Sequence, residues 1–287
     1  MQPNIVILAG GISSRMRNAA PASVSLDPAW RRDAEEKAKT MIGVGSGSRP
    51  FLDYLLYNVS SAGYREAVIV IGENDESIRA YYDAGGSQQF KNLSISYAVQ
   101  PIPPGRDKPL GTADALWHGL RARRDWRGQA FTVCNSDNLY SVAALQTLLH
   151  DMHDNALIDY DRSALQFTQS RIEQFAVIQK DAEGFLQNII EKPSAEEITQ
   201  AAESDGRIGV SMNIFRLSYD QIFPCVEAAP LHPVRREKEL PAAVQMMIAQ
   251  SPRAVFAIPR AEHVPDLTMQ TDIPEVRAYL EKQYHNF

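Results

Sequence analysis

Short apolar runs recur at wide spacing through the first half of the chain: NIVIL (4–8), EAVIVIG (66–72), LSISYAV (93–99) and QAFTVC (129–134). They predict strands. Between them lie stretches with apolar residues three to four apart, the spacing of one helix face: PFLDYLLYNVSSAG (50–63), TADALWHGLRARR (112–124) and VAALQTLLHDM (142–152). Gly63 is a plausible stop for the first of these helices. Alternating strand and helix over 150 residues predicts a mostly parallel sheet covered on both faces. Such sheets bind ligands at the carboxyl ends of their strands.

The pattern changes after about residue 160. FAVIQKDAEGFLQNIIEKP (175–193) reads as a hairpin turning at Glu183-Gly184. A polar helix follows in SAEEITQAAESDG (194–206), where Ser194 and Glu197 have the spacing of a capping box. Then come a strand, GVSMNIFRL (209–217), helices near 218–228 and 236–250, a strand, AVFAI (254–258), and a last helix from Asp272. Residues 17–38 and 100–110 are the longest stretches without periodicity, which predicts loops near a site. Neither repeats nor a low-complexity tract interrupts the chain.

Composition narrows the function classes. The 287 residues are 44% hydrophobic and 22% charged, enough for a full core in one large domain or two joined lobes. A net charge of −6 argues against broad nucleic-acid or membrane binding. The arginine-rich segments WRRDAEEKAK (30–39) and RARRDWR (121–127) carry their own acids and read as solvated helix faces. Two distant cysteines, Cys134 and Cys225, argue against a disulfide framework or structural zinc and fit a reducing compartment. The chain holds no run of eighteen apolar residues, and MQPNIVILAGG lacks the features of a signal peptide. The expectation is a soluble, cytoplasmic protein.

The chemistry-bearing residues begin in ILAGGISSRM (7–16). A strand running into Gly10-Gly11, then Ser13, Ser14 and Arg15, offers backbone N–H groups, hydroxyls and forked donors to an anion. It matches neither the dinucleotide fingerprint nor the Walker loop. By itself a two-glycine turn is as often structural as functional. Asp137, in CNSDNLYS after a strand, is placed to hold Mg2+ against a phosphate, with an Asx-turn as the bland alternative. Asp266 follows a late strand and can reach the same edge, whereas Asp272 in TDIPE reads as a helix cap. Glu191 and Lys192 are neighbours on a strand and face opposite sides, so both cannot be core. In PLGTADAL, Gly111 allows close backbone approach to a flat base and Thr112 can cap a helix.

In order, LAGG-x-S-S-R-M, K-T-M-I-G-V, Q-x10-G-T-A-D-A-L, S-D-N, E-K-P and a late Asp resemble the sugar nucleotidyltransferases over roughly residues 4 to 284. The resemblance implies an α/β fold, a Rossmann-like three-layer sandwich with a mixed, mostly parallel central sheet and a smaller sugar-binding subregion. Within a single domain, residues 1–160 would be the nucleotide-binding half and 161–287 the sugar-phosphate half. It implies an enzyme that joins a sugar 1-phosphate to a nucleoside triphosphate and releases pyrophosphate with Mg2+. Carried onto this chain, Leu8, Ala9, Gly10, Gly11, Ser13 and Ser14 would line the nucleotide. Arg15 would steady the departing pyrophosphate and Lys39 would lie near the triphosphate. Gln100, Gly111 and Thr112 would meet the base. Asp137 and Asp266 would hold Mg2+, Lys192 would grip the sugar phosphate, and Glu191, Ala176 and Asn213 would line the sugar.

The chain departs from the family pattern at several points. Ser13 and Ser14 stand where glycine and threonine are common, as in cytidylyl- and guanylyltransferases. Ala176 stands where glycine is common, and Met212-Asn213 stand where glycine and an apolar residue are common. The insertion at 17–38 separates Lys39 from Arg15. Two alternatives stay open: a cytidylyl- or guanylyltransferase acting on a cofactor or alcohol phosphate, and a non-catalytic nucleotide-sugar sensor. A pyrimidine triphosphate is the default nucleotide, and the resemblance allows a homo-oligomer.

Overall fold

The computed structural model describes residues 3–11, 16, 27–285 and 287. Its strands are β1 (Asn4–Ala9), β2 (Glu66–Gly72), β3 (Ser94–Gln100), β4 (Ala130–Asn135), β5 (Ala156–Asp161), β6 (Ala176–Lys180), β7 (Leu186–Ile190), β8 (Gly209–Ser218) and β9 (Phe256–Arg260). Among the described residues they form one sheet, with main order β3-β2-β1-β4-β8-β5-β9 and the β6–β7 hairpin branching from β8. Along that main path β8 alone is reversed, pairing antiparallel with both β4 and β5, so the sheet is mixed but mostly parallel. Strand β1 has parallel neighbours on both sides, β2 and β4. The chain leaves β1 toward β2 on one side and leaves β4 toward β5 on the other, and the divergence between β1 and β4 opens a crevice at the carboxyl ends.

The period of two along β1 builds the layers. Ile5 and Ile7 face one core with helices α2 (Phe51–Ala62), α5 (Val142–His150) and α10 (Ile273–Gln283). Val6 and Leu8 face the other with α4 (Thr112–Ala122), α8 (Tyr219–Ala228) and α9 (Leu240–Gln250). A strand buried on both faces must be apolar at every position, which is why NIVIL shows no alternation. Gly63 ends α2 in the left-handed region at φ 104°, as expected of a stop glycine. Helix α7 (Ala195–Gln200) opens with the full Ser194–Glu197 capping box.

Four local expectations need correction. The 17–38 stretch contains a helix within its described part, α1 (Pro28–Glu36), capped by Asp27. The helix expected from 236 begins at Leu240, because residues 229–239 turn back on themselves through the His232–Glu237 and Leu231–Lys238 contacts. Thr112 does not cap α4: its hydroxyl accepts from the Leu240 backbone N–H at 2.9 Å, and Gly111 occupies the cap position. Asp272 does not cap α10 with its side chain, which serves the ion pair described below.

Candidate functional site

The crevice is a cleft of about 290 Å³ over the ends of β1 and β4. Nine of the residues singled out from sequence meet on its walls: Leu8, Ala9, Gly10, Gly11, Lys39, Gln100, Gly111, Thr112 and Asp137. Gly10 is required for packing, since a Cβ there would lie 2.8 Å from Gln100 Oε1. Gly111 has φ 105°, and a Cβ would also lie 2.6 Å from the Lys238 carbonyl oxygen. Both positions let the chain come closer to the cleft than any side chain permits.

Gln100 ends β3 and is almost fully buried. Its Nε2 donates to the Gly111 carbonyl at 2.9 Å and to Asp114 Oδ2 at 2.8 Å. A carboxylate only accepts, so Asp114 sets the amide's orientation and leaves Oε1 turned to Gly10. Asp114 belongs to the GTADAL stretch, yet one turn of helix hides its role in a linear reading. Lys108 pairs with Glu237 on the opposite rim, which joins the 101–110 loop to the 229–239 loop.

The two candidate metal ligands, 129 positions apart in the chain, are brought side by side by backbone pairing. Leu267 N donates to the Asp137 carbonyl at 2.8 Å, and Leu139 N donates to the Pro265 carbonyl at 2.9 Å. Their carboxylates have different surroundings. Asp137 lines the cleft and pairs with Lys39, which lies on a 3-10 turn (Lys39–Met41). Asp266 is half-buried, accepts from Thr268 Oγ1 at 2.7 Å, and takes Arg171 Nη2 at 2.8 Å. Burial first, and the Asp137 charge second, hold the Asp266 carboxyl above the usual carboxylate range, while Arg171 opposes both. The same guanidinium binds Asp272 Oδ1 at 2.6 Å, and Asp272 Oδ2 accepts the N–H groups of Thr268 and Met269.

Arg171 is therefore a site-bordering residue that sequence reasoning missed. It lies in the polar segment TQSRIEQ, on the four-residue helix α6 (Gln169–Ile172), and nothing in that segment points to a site. Thr40, next to Lys39 on the cleft wall, was likewise not singled out.

The residues expected around the sugar are not on the lining of this cleft. Asn213 lies in β8 just beyond the Cys134–Ile214 pair, in the left-handed region at φ 55°, with its Oδ1 buried and unpartnered. Ala176 is the first residue of β6, paired with Ser211 of β8. Glu191 follows β7 half-buried, and Lys192 beside it is exposed, so the two do take different environments. Burial raises the Glu191 carboxyl, Arg235 lowers it, and Glu239 raises it further. Ser13, Ser14 and Arg15 lie outside the described residues.

Residues 34–218 match the family model described as "Nucleotidyl transferase". The chain is 28% identical over 194 residues to glucose-1-phosphate adenylyltransferase 1 of Vibrio vulnificus, covering 66% of this chain and 43% of that protein. It is 24% identical over 256 residues to the bifunctional protein GlmU of Staphylococcus epidermidis, covering 88% and 47%. The chain thus spans less than half the length of these curated relatives. Its fold is similar to that of a UDP-glucose pyrophosphorylase complexed with UDP-glucose, with a TM-score of 0.71 at 16% identity, covering 99% of this chain and 100% of that one. The matched segment runs from α1 through β8 and includes Lys39, Gln100, Gly111 and Asp137. By that match, the chain belongs to the nucleotidyl transferase family.

Proposed function

We propose that this protein joins a sugar 1-phosphate, or a sugar-like phosphate, to a nucleoside triphosphate and releases pyrophosphate. The observation that carries the reading is the meeting of Asp137 and Asp266 beside the glycine-floored cleft. One relative, glucose-1-phosphate adenylyltransferase 1, is named for a sugar phosphate, which supports the substrate class. In the reaction an oxygen of the sugar phosphate attacks the α-phosphorus, and the bond to the pyrophosphate oxygen breaks on the opposite side. Catalysis of this kind is mostly positioning and charge neutralisation.

The donor chemistry fits Mg2+. Two carboxylates from separate segments leave most of an octahedral shell to phosphate oxygens and water, which is how proteins commonly hold this ion. Bound there, it would neutralise the phosphate oxygens at the reacting centre. The chain's own residues do the rest. Gly10 and Gly11 bring backbone to the nucleotide, and Lys39 moves from Asp137 to the triphosphate. Arg15 meets the pyrophosphate, Lys192 the sugar phosphate, and Glu191, Ala176 and Asn213 the sugar. Gln100 offers Oε1 as an acceptor because Asp114 and the Gly111 carbonyl occupy its nitrogen. An acceptor there suits any base edge that presents an N–H, the ring N–H of uracil, thymine or guanine as well as the amino group of adenine or cytosine.

The test is to mix the protein with Mg2+, each nucleoside triphosphate and a panel of sugar 1-phosphates, and to measure pyrophosphate. Release with a sugar 1-phosphate and UTP or dTTP is the expected result. Nucleotide binding with no release from any pair would overturn the transfer reading in favour of a nucleotide-sugar sensor.

A further inference from the structure

Six buried side-chain polar atoms have no hydrogen-bond partner among the described residues, and Thr40 is the one of their residues that lines the nucleotide cleft. Thr40 is 1% exposed, so bulk water does not serve the group. Leaving a buried hydroxyl unpaired is costly, and buried polar groups without partners are uncommon in folded proteins. The cost is not a by-product of looseness. The 3-10 turn that carries Thr40 is tied down by Met41 N to the Ala38 carbonyl at 2.8 Å, while Trp30 Nε1 reaches the Gly43 carbonyl at 3.2 Å. Met41 beside it is anchored in the core. Thr40 is held at a fixed place on the cleft wall, next in the chain to Lys39 and on the same lining as the glycines that follow β1.

We infer that the Thr40 hydroxyl donates to a phosphoryl oxygen of the nucleotide, as a second, uncharged donor beside Lys39. The chemistry selects an oxyanion. The neighbouring cation attracts negative charge, and a hydroxyl is a donor that complements a phosphate oxygen at little desolvation cost, since it is already dry. This assignment rests on the reading of the cleft as a nucleotide site. A triphosphate that draws Lys39 away from Asp137 would bring its oxygen to the turn where the hydroxyl waits. The group gains its partner only when the ligand arrives, so its full value goes into binding.

The experiment is calorimetric titration of the intact chain with each of UTP, dTTP and GTP in the presence of Mg2+, for wild type, Thr40→Val and Thr40→Ser. Valine keeps the branched shape and removes the hydroxyl; serine keeps the hydroxyl. Thr40→Val is expected to weaken the triphosphate roughly 10- to 100-fold, the range for a hydrogen bond to a charged acceptor. Its melting temperature is expected to hold or rise, because an unpaired buried group is gone. Thr40→Ser restores most of the affinity, and the matching nucleoside without phosphates binds all three proteins alike. Thr40→Val binding the triphosphate within twofold of wild type overturns the inference, as does an equal loss for the bare nucleoside. The two readings fail separately. If binding follows the expected pattern but no sugar 1-phosphate releases pyrophosphate, the transfer reading falls and the Thr40 contact stands. A wild-type chain that binds none of the triphosphates overturns both.

Discussion

Asp137 and Asp266 are neighbours through one backbone bridge and similarly shielded from water, yet their partners differ. Asp137 sits on the cleft wall with a flexible lysine as its partner, and both side chains keep some exposure to water, 15% and 20%. Asp266 is 11% exposed, and its arginine is shared with a buried acid, Asp272. The first pair is a contact that a ligand can exchange, because lysine is a point charge on a long stem. The second is a fork locked between two carboxylates, whose removal would strand buried charge. One acid thus has a partner that a ligand can exchange, and the other a partner fixed by a second acid, even though a linear reading sees no difference between them.

The largest expected effect is on turnover. Asp137→Asn keeps the shape and removes the charge, and should lower kcat by about a thousandfold or more, the scale of losing a main electrostatic element. Its melting curve should stay near wild type, and near-normal activity would sink the metal assignment. Next comes stability: Arg171→Met should cost about 3 kcal/mol, because Asp272 stays buried and Asp266 half-buried without their counter-charge. Chemical denaturation measures this directly. Lys39→Met should behave in the opposite way, costing about 1 kcal/mol or less in stability while weakening the triphosphate. Equal destabilisation by Arg171→Met and Lys39→Met would erase the contrast between the two pairs.

A smaller effect tests the buried side through pH. Burial first, and Arg171 second, push the His263 ring down to about 4. Its Nδ1 also accepts from the Gln166 N–H at 3.1 Å, which the neutral ring allows. The unfolded chain takes up this proton near pH 6.5, whereas the folded chain resists until about 4. Stability should therefore fall as pH drops through that window, and His263→Gln should flatten the slope. An unchanged slope would remove His263 from the account. The smallest expected effect is that of Asn213→Gly. Glycine accepts φ 55° freely, so stability should change by about 1 kcal/mol or less, while the preference among sugar 1-phosphates shifts. An unaltered preference would take Asn213 out of the sugar pocket.

Much of the cleft lining was legible because it is local. Gly10 and Gly11 follow directly on a strand, Gln100 and Gly111 bracket one loop, and Asp137 trails β4 by two residues. In a parallel sheet those positions all fall at one edge, so strand order and motif order together predict a common cleft. Arg171 was not legible, because an arginine in a polar segment has the pattern of a solvated surface and acquires meaning only from the acids folded against it. Asp272 was read only in part. It holds the cap position of α10, and its carboxylate caps the 3-10 turn (Gln270–Asp272) that leads into that helix, but it also pairs with Arg171.

The sequence by itself determined the alternation of strands and helices, the two-faced burial of β1 and the set of residues that could handle phosphate. Those follow from periodicity and from the few residue types that bind anions or metals. Tertiary structure alone decided which charges are paired. It put Lys39 on Asp137, Arg171 between Asp266 and Asp272, and Asp114 under Gln100. Ion pairing and burial depend on distances between segments that may lie a hundred residues apart, and no local pattern encodes them. The unpaired hydroxyl of Thr40 belongs to the same class, since an absent partner is visible only once every neighbour has its place.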